Sequence, residues 1–154
     1  MIKINVILNN ISWKKYLKNP NSFIDKKVEL LNKNNKLYKE NILVCSLLLS
    51  GTKEIRKLNK KFRKKNKSTD VLSFPFYEKR HLKKIISEEK EIYLGDIIIN
   101  LNKINNKKND KKFKNQLNKL WIHGFLHLLG HNHKLDKEYC KMQKLENKFL
   151  NFVK

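Results

Sequence analysis

The stretch His123-Gly124-Phe125-Leu126-His127-Leu128-Leu129-Gly130-His131-Asn132-His133 constrains this chain more than any other. His123 and His127 are four residues apart, so a helix stacks them on one face. Phe113, Leu117, Leu120, Trp121, Gly124 and Leu128 recur at helical spacing and describe a long helix ending at Gly130. Gly130 can take a left-handed conformation and stop that helix. The chain then turns back, and His133 can supply a third nitrogen to one ion.

Three protein ligands and an open position make the catalytic zinc arrangement, whereas structural sites fill all four. Neutral imidazoles leave the ion's charge uncancelled, so it can acidify a bound water or stabilise charge on a reacting oxygen. Satisfied surface or core histidines would explain a lone i, i+4 pair. A triple at H-x3-H-x5-H with glycine at the turn is more specific. His131 is a rival third ligand, because i+8 continues the same face, but it follows the helix-ending glycine. The metzincin signature H-E-x-x-H-x-x-G-x-x-H has the same spacing, with Glu as general base. Gly124 stands at that position here, which counts against a protease and leaves the metal site intact.

The rest of the chain mixes strand and helix patterns. Ile2, Ile4, Val6 and Leu8 alternate like a half-buried strand, and Ile42 to Leu49 reads as a buried one. Ser22 followed by Phe23, Ile24, Val28 and Leu31 suggests a capped amphipathic helix, with Asp25 in its first turn. Gly51 and Thr52 break the second strand and cap a helix whose apolar face is Ile55, Leu58 and Phe62. Val71 to Pro75 is a strand whose proline marks an end or an edge. Residues 77–90 are charged and read as an exposed excursion. Ile92 to Ile99 is strand-like, and Leu135, Tyr139, Met142, Leu145 and Phe149 fit a C-terminal helix. The order lacks strict βαβ alternation. The expected fold is α+β: one domain over 1–154, a small mixed sheet packed with several helices, and the metal site at the end of the long helix.

Composition bounds the partners. A formal net charge of +22 favours polyanions. Nearly all of it is Lys, since Arg occurs only at 56, 63 and 80, and Ala is absent while Asn and Ile abound. AT-rich codons would produce the same bias, so the charge permits a nucleic-acid partner without requiring one. Cys45 and Cys140 are too few for a disulfide framework, which suits a reducing compartment. No stretch reads as a signal peptide or a membrane span, so a cytoplasmic protein is expected.

At three blocks the chain resembles the YbeY family, bacterial metal-dependent endoribonucleases also known as rRNA maturation factors. HGFLHLLGHNH is similar to that family's H-G-x-L-H-L-x-G-[YFH]-D-H. Leu58-Asn59, Phe62-Arg63 and Ser68-Thr69-Asp70-Val71-Leu72-Ser73-Phe74-Pro75 resemble its L-N-x-x-F-R and T-D-V-L-S-F-P. Leu94-Gly95-Asp96-Ile97 resembles its L-G-D-I. The resemblance implies a single-strand-specific endoribonuclease with one zinc per chain, acting in small-subunit rRNA 3′-end maturation and ribosome quality control. Its partners would be single-stranded RNA, rRNA and the ribosome or its small subunit. It implies His123, His127 and His133 as zinc ligands and Arg63 as the functionally important arginine. Asn132 departs from the family's usual Asp. Asn can replace a carboxylate that only shapes the turn, but not one that works as an acid or base.

Other residues carry weaker readings. Arg63 suits a phosphate clamp by its planar fork of donors; the plain alternative is an exposed helix arginine. Asp96 either orients a group, binds a protein partner or serves the turn beside Gly95. Asp70 and Ser73 are expected to fix a loop by local hydrogen bonds. Met142 is expected to pack in the core and His81 to be solvated. The lysines of 60–67 and 103–114 either track an RNA backbone or form ordinary surface. The competing functions are a metzincin-like metalloprotease and a non-catalytic ribosome-assembly factor.

Overall fold

The structure is a computed structural model, and it describes residues 1–35, 38, 40–132 and 135–154. Four strands form one mixed sheet in the order β1-β2-β4-β3. β1 (Ile2–Leu8), β2 (Ile42–Ser50) and β4 (Glu91–Asn100) run parallel, and β3 (Val71–Pro75) pairs antiparallel with β4 at one edge. The edge position is where Pro75, lacking an N–H, is tolerated. Five helices accompany the sheet: α1 (Pro20–Asn34), α2 (Thr52–Arg63), α3 (Lys79–Glu88), α4 (Asp110–Leu128) and α5 (Asp136–Phe152). The α+β expectation holds.

The inner sheet face buries Ile4, Leu43, Leu47, Leu49, Ile97 and Ile99 in one cluster with Trp13, Phe113, Trp121, Phe125 and Phe149. This is the large core, and it includes α1, α4 and α5. On the outer face, Ile55 of α2 packs on Leu72 and Ile98 in a smaller cluster. α2 therefore sits over β3 and β4, which places its C-terminal Arg63 beside the edge strand. α4 lies against β3 and β4 on the opposite face.

Several expectations shift. α1 begins two residues before Ser22, because Asn19 caps it by accepting from the Ser22 N–H and Pro20 occupies the first turn. Thr52 does not cap α2; Gly51 takes that position, and the Thr52 hydroxyl meets the Asn100 amide instead. Residues 79–88 are helix α3 rather than an excursion, since Leu82 is buried and Ile85 and Ile86 join it against the core. Phe62, expected on the buried face of α2, is 57% exposed. It lies at the end of the helix, where the Phe74 ring of the edge strand meets it edge-on at 5.3 Å and leaves the rest of it in water.

A candidate metal centre in a basic cleft

α4 carries the histidine pair. Its end is a Schellman turn: Gly130 N–H donates to His127 O and His131 N–H to Leu126 O, with Gly130 at φ +80°. The expected glycine stop is thus present. The same turn swings the His131 carbonyl onto the His127 ring, where it accepts from Nδ1 at 3.0 Å.

His123 Nδ1 is held in turn by Oε2 of Glu146, from α5, at 3.3 Å. Where Nδ1 donates, the lone pair of an imidazole sits on Nε2. The two Nε2 atoms face each other at 3.1 Å. Two lone pairs at that distance repel unless a proton or a metal ion stands between them. Two nitrogens bound tetrahedrally to one zinc, each at about 2.0–2.1 Å, would be about 3.3 Å apart. The pair, with each ring oriented through its far nitrogen by an oxygen, therefore fits a cation, as metal-binding histidines usually do. Among the described residues no group of three His, Cys, Asp or Glu side chains converges. His133, the expected third donor, lies outside the described residues.

Glu146 escaped the sequence reading. Its signal was available: with Met142, Leu145 and Phe149 it falls at i, i+3, i+4 and i+7 of α5, a carboxylate on an apolar stripe. It is only 9% exposed, and its Oε1 has no hydrogen-bond partner among the described residues. Burying a carboxylate so incompletely satisfied is costly, and such exceptions call for an explanation.

Gly124 explains the departure from the protease pattern. A Cβ there would lie 2.6 Å from Ile97 Cγ2 and 3.1 Å from Ser73 Oγ. The residue presses α4 against the sheet, so a glutamate at this position could not fit without moving the helix. Ser73, buried on β3, ties the same contact by donating from its hydroxyl to Gly124 O at 3.2 Å.

Arg63 reaches the site from the other side of the strand. Its Nη2 donates to Ser73 O at 2.9 Å, and its guanidinium sits 5.7 Å from the centre of the Phe74 ring. Arg63, His123 and His127 share one open cleft of about 1070 Å³, with Lys65, Lys79 and Asn132 also at its wall. His131 lines it too, its pKa lowered by burial and then by the Lys79 ammonium. Of the other expected residues, Asp70 fixes its loop by accepting from Thr69 Oγ1 and the Val71 N–H. Asp96 stands on the outer face of β4, accepting from the Tyr93 hydroxyl at 2.7 Å. Met142 is buried in the core, and His81 is exposed on α3.

Comparison with known proteins bears on this arrangement. The family described as Endoribonuclease YbeY matches residues 7–154. A Pelagibacter ubique protein named Endoribonuclease YbeY is 42% identical over 156 residues, covering 100% of this chain and 97% of that protein. One of the same name from Ehrlichia chaffeensis is 35% identical, covering 98% and 92%. Among solved structures, the solution structure of TM1509 from Thermotoga maritima superposes with a TM-score of 0.60 at 26% identity, covering 98% of this chain and 89% of that one.

Proposed function

This chain belongs to the YbeY endoribonuclease family, and we propose that it works as a zinc-dependent nuclease specific for single-stranded RNA, maturing the small-subunit rRNA 3′ end and serving ribosome quality control. The observation that carries the metal reading is the 3.1 Å approach of His123 Nε2 and His127 Nε2. We assign the third ligand to His133 by the family pattern. The rRNA substrate and the ribosomal partner rest on the family and on the +22 charge, and the cytoplasmic location rests on the family. Among the described residues no helix is long and apolar enough to cross a membrane.

A bound zinc would supply Lewis acidity to the scissile phosphate. The chain's own residues do the positioning. Glu146 and the His131 carbonyl hold the two imidazoles in the tautomer that presents Nε2. Arg63 spends one donor on Ser73 O and keeps the rest of its fork for a phosphate in the same cleft. Ser73 links the two halves, because its carbonyl anchors Arg63 and its hydroxyl anchors α4.

The metalloprotease reading is weaker on two counts. Gly124 leaves no base and no room for one. The edge strand also offers a peptide fewer partners, since Arg63 occupies a β3 carbonyl and Pro75 offers no donor. The test is cleavage of single-stranded RNA by wild type beside His127→Ala, with bound metal quantified. Cleavage with about one zinc per chain, both lost in a folded mutant, supports the reading. Equal cleavage by both proteins overturns it. RNA binding that survives metal loss, without cleavage by either, favours an assembly factor.

A further inference from the structure

Phe76 follows the edge strand and is 66% exposed. Its backbone is fixed, since its N–H donates to Leu94 O at 2.9 Å. Its ring is braced by T-shaped contacts, with Tyr77 at 5.0 Å and Tyr93 at 6.0 Å between centroids. A large aromatic ring held in place yet left in water forgoes burial that folding usually captures. It lines the same cleft as the histidine pair and Arg63, whose wall carries Lys65 and Lys79, the latter paired with Glu138, together with Asp70 and Glu78.

Resting on the nuclease reading above, we infer that Phe76 is a stacking platform for one unpaired base of the RNA strand whose phosphate lies at His123, His127 and Arg63. Fixed aromatic rings beside cations are how proteins hold single strands, because every base has a π-face and every linkage a charge. The occupant is a nucleic acid rather than a peptide, because Arg63 and Lys65 suit a phosphate chain, Arg63 already occupies the Ser73 carbonyl of the β3 edge and Pro75 there offers no donor. The platform also supplies a physical origin for single-strand preference. A base in a duplex is stacked on both sides, and it must be unstacked before it can cover Phe76. The platform reads a face and not an edge, so it predicts little discrimination among the four bases.

The experiment uses fluorescence anisotropy of a short 2′-O-methyl RNA strand, its integrity checked by gel after each titration. Wild type, Phe76→Ala and Phe76→Trp are compared on that strand and on a matched one whose bases are replaced by abasic residues. Phe76→Ala should weaken binding of the base-bearing strand about 5- to 150-fold and leave the abasic strand unchanged. Phe76→Trp should bind like wild type, and its emission should be quenched by the base-bearing strand alone. That signal is clean because Trp13 and Trp121 are both fully buried. Equal affinity of wild type and Phe76→Ala for the base-bearing strand overturns the platform while the nuclease reading stands. Equal losses on both strands also overturn it, since the residue would then act on the backbone or the fold. If wild type neither binds nor cuts single-stranded RNA, the nuclease reading falls and takes the platform with it.

Discussion

Oε2 of Glu146 lies 3.3 Å from Nδ1 of His123, joining α5 to α4. If this carboxylate serves the metal, its removal should separate affinity from stability. Glu146→Met should lower zinc affinity about 10- to 100-fold, read by competition with a chromogenic chelator. The metal-free variant should unfold in urea within about 1 kcal/mol of wild type, because shedding a buried, half-satisfied carboxylate offsets the hydrogen bond lost at His123 Nδ1. Unchanged zinc affinity would remove Glu146 from the site.

Gly124→Ala tests the close approach of α4 to the sheet. Helix propensity alone favours alanine by about 1 kcal/mol. Overpacking against Ile97 costs about 1–3 kcal/mol, and the 2.6 Å contact makes it the larger effect. Denaturant unfolding should therefore show net destabilisation. A more stable variant would mean that the helix shifts freely. Gly124→Glu should gain no casein hydrolysis.

Arg63→Lys keeps the charge and loses the fork. The side chain is exposed, so the midpoint of unfolding should change by about 1 kcal/mol or less. RNA cleavage should fall about 10- to 100-fold, the worth of a hydrogen bond to a charged group. Unchanged turnover in the folded variant would sink the clamp.

The two thiols should differ sharply. Burial, and then the charge of Asp96, push Cys45 up to about 12 from its ordinary 9.0. Cys140 is exposed. The thiolate is the reactive form, so an aromatic disulfide reagent at pH 8 should label about one thiol per folded chain and a second on unfolding. The sign for stability follows: the native state keeps its proton where the unfolded state loses it. Cys45 therefore contributes fully below about pH 9, and that contribution erodes as pH rises toward 12. Two fast-reacting thiols in the folded protein would contradict this burial.

What was legible in the sequence follows periodicity. β1, β2 and the α4 stripe were readable because one face of each is buried, and Pro75 signalled an edge. Gly130 foretold the turn, since left-handed backbone favours glycine. α3 was missed because its charges outweigh the three apolar residues Leu82, Ile85 and Ile86 that carry its packing. Phe62 lies on the expected face but is mostly exposed, because periodicity shows which side of a helix is apolar but not how much of it the edge strand covers. The histidine pair was visible at i, i+4. The Glu146 contact was not, because it joins residues 23 apart through the packing of two helices.

The two histidines differ in how their orientation is inherited. His127 is steadied by a main-chain oxygen that the turn after α4 delivers, whatever side chain stands at 131. His123 depends on one particular carboxylate. A codon change at 131 can pass without disturbing its neighbour's aim, whereas one at 146 cannot. The centre is tolerant of mutation on one side and brittle on the other.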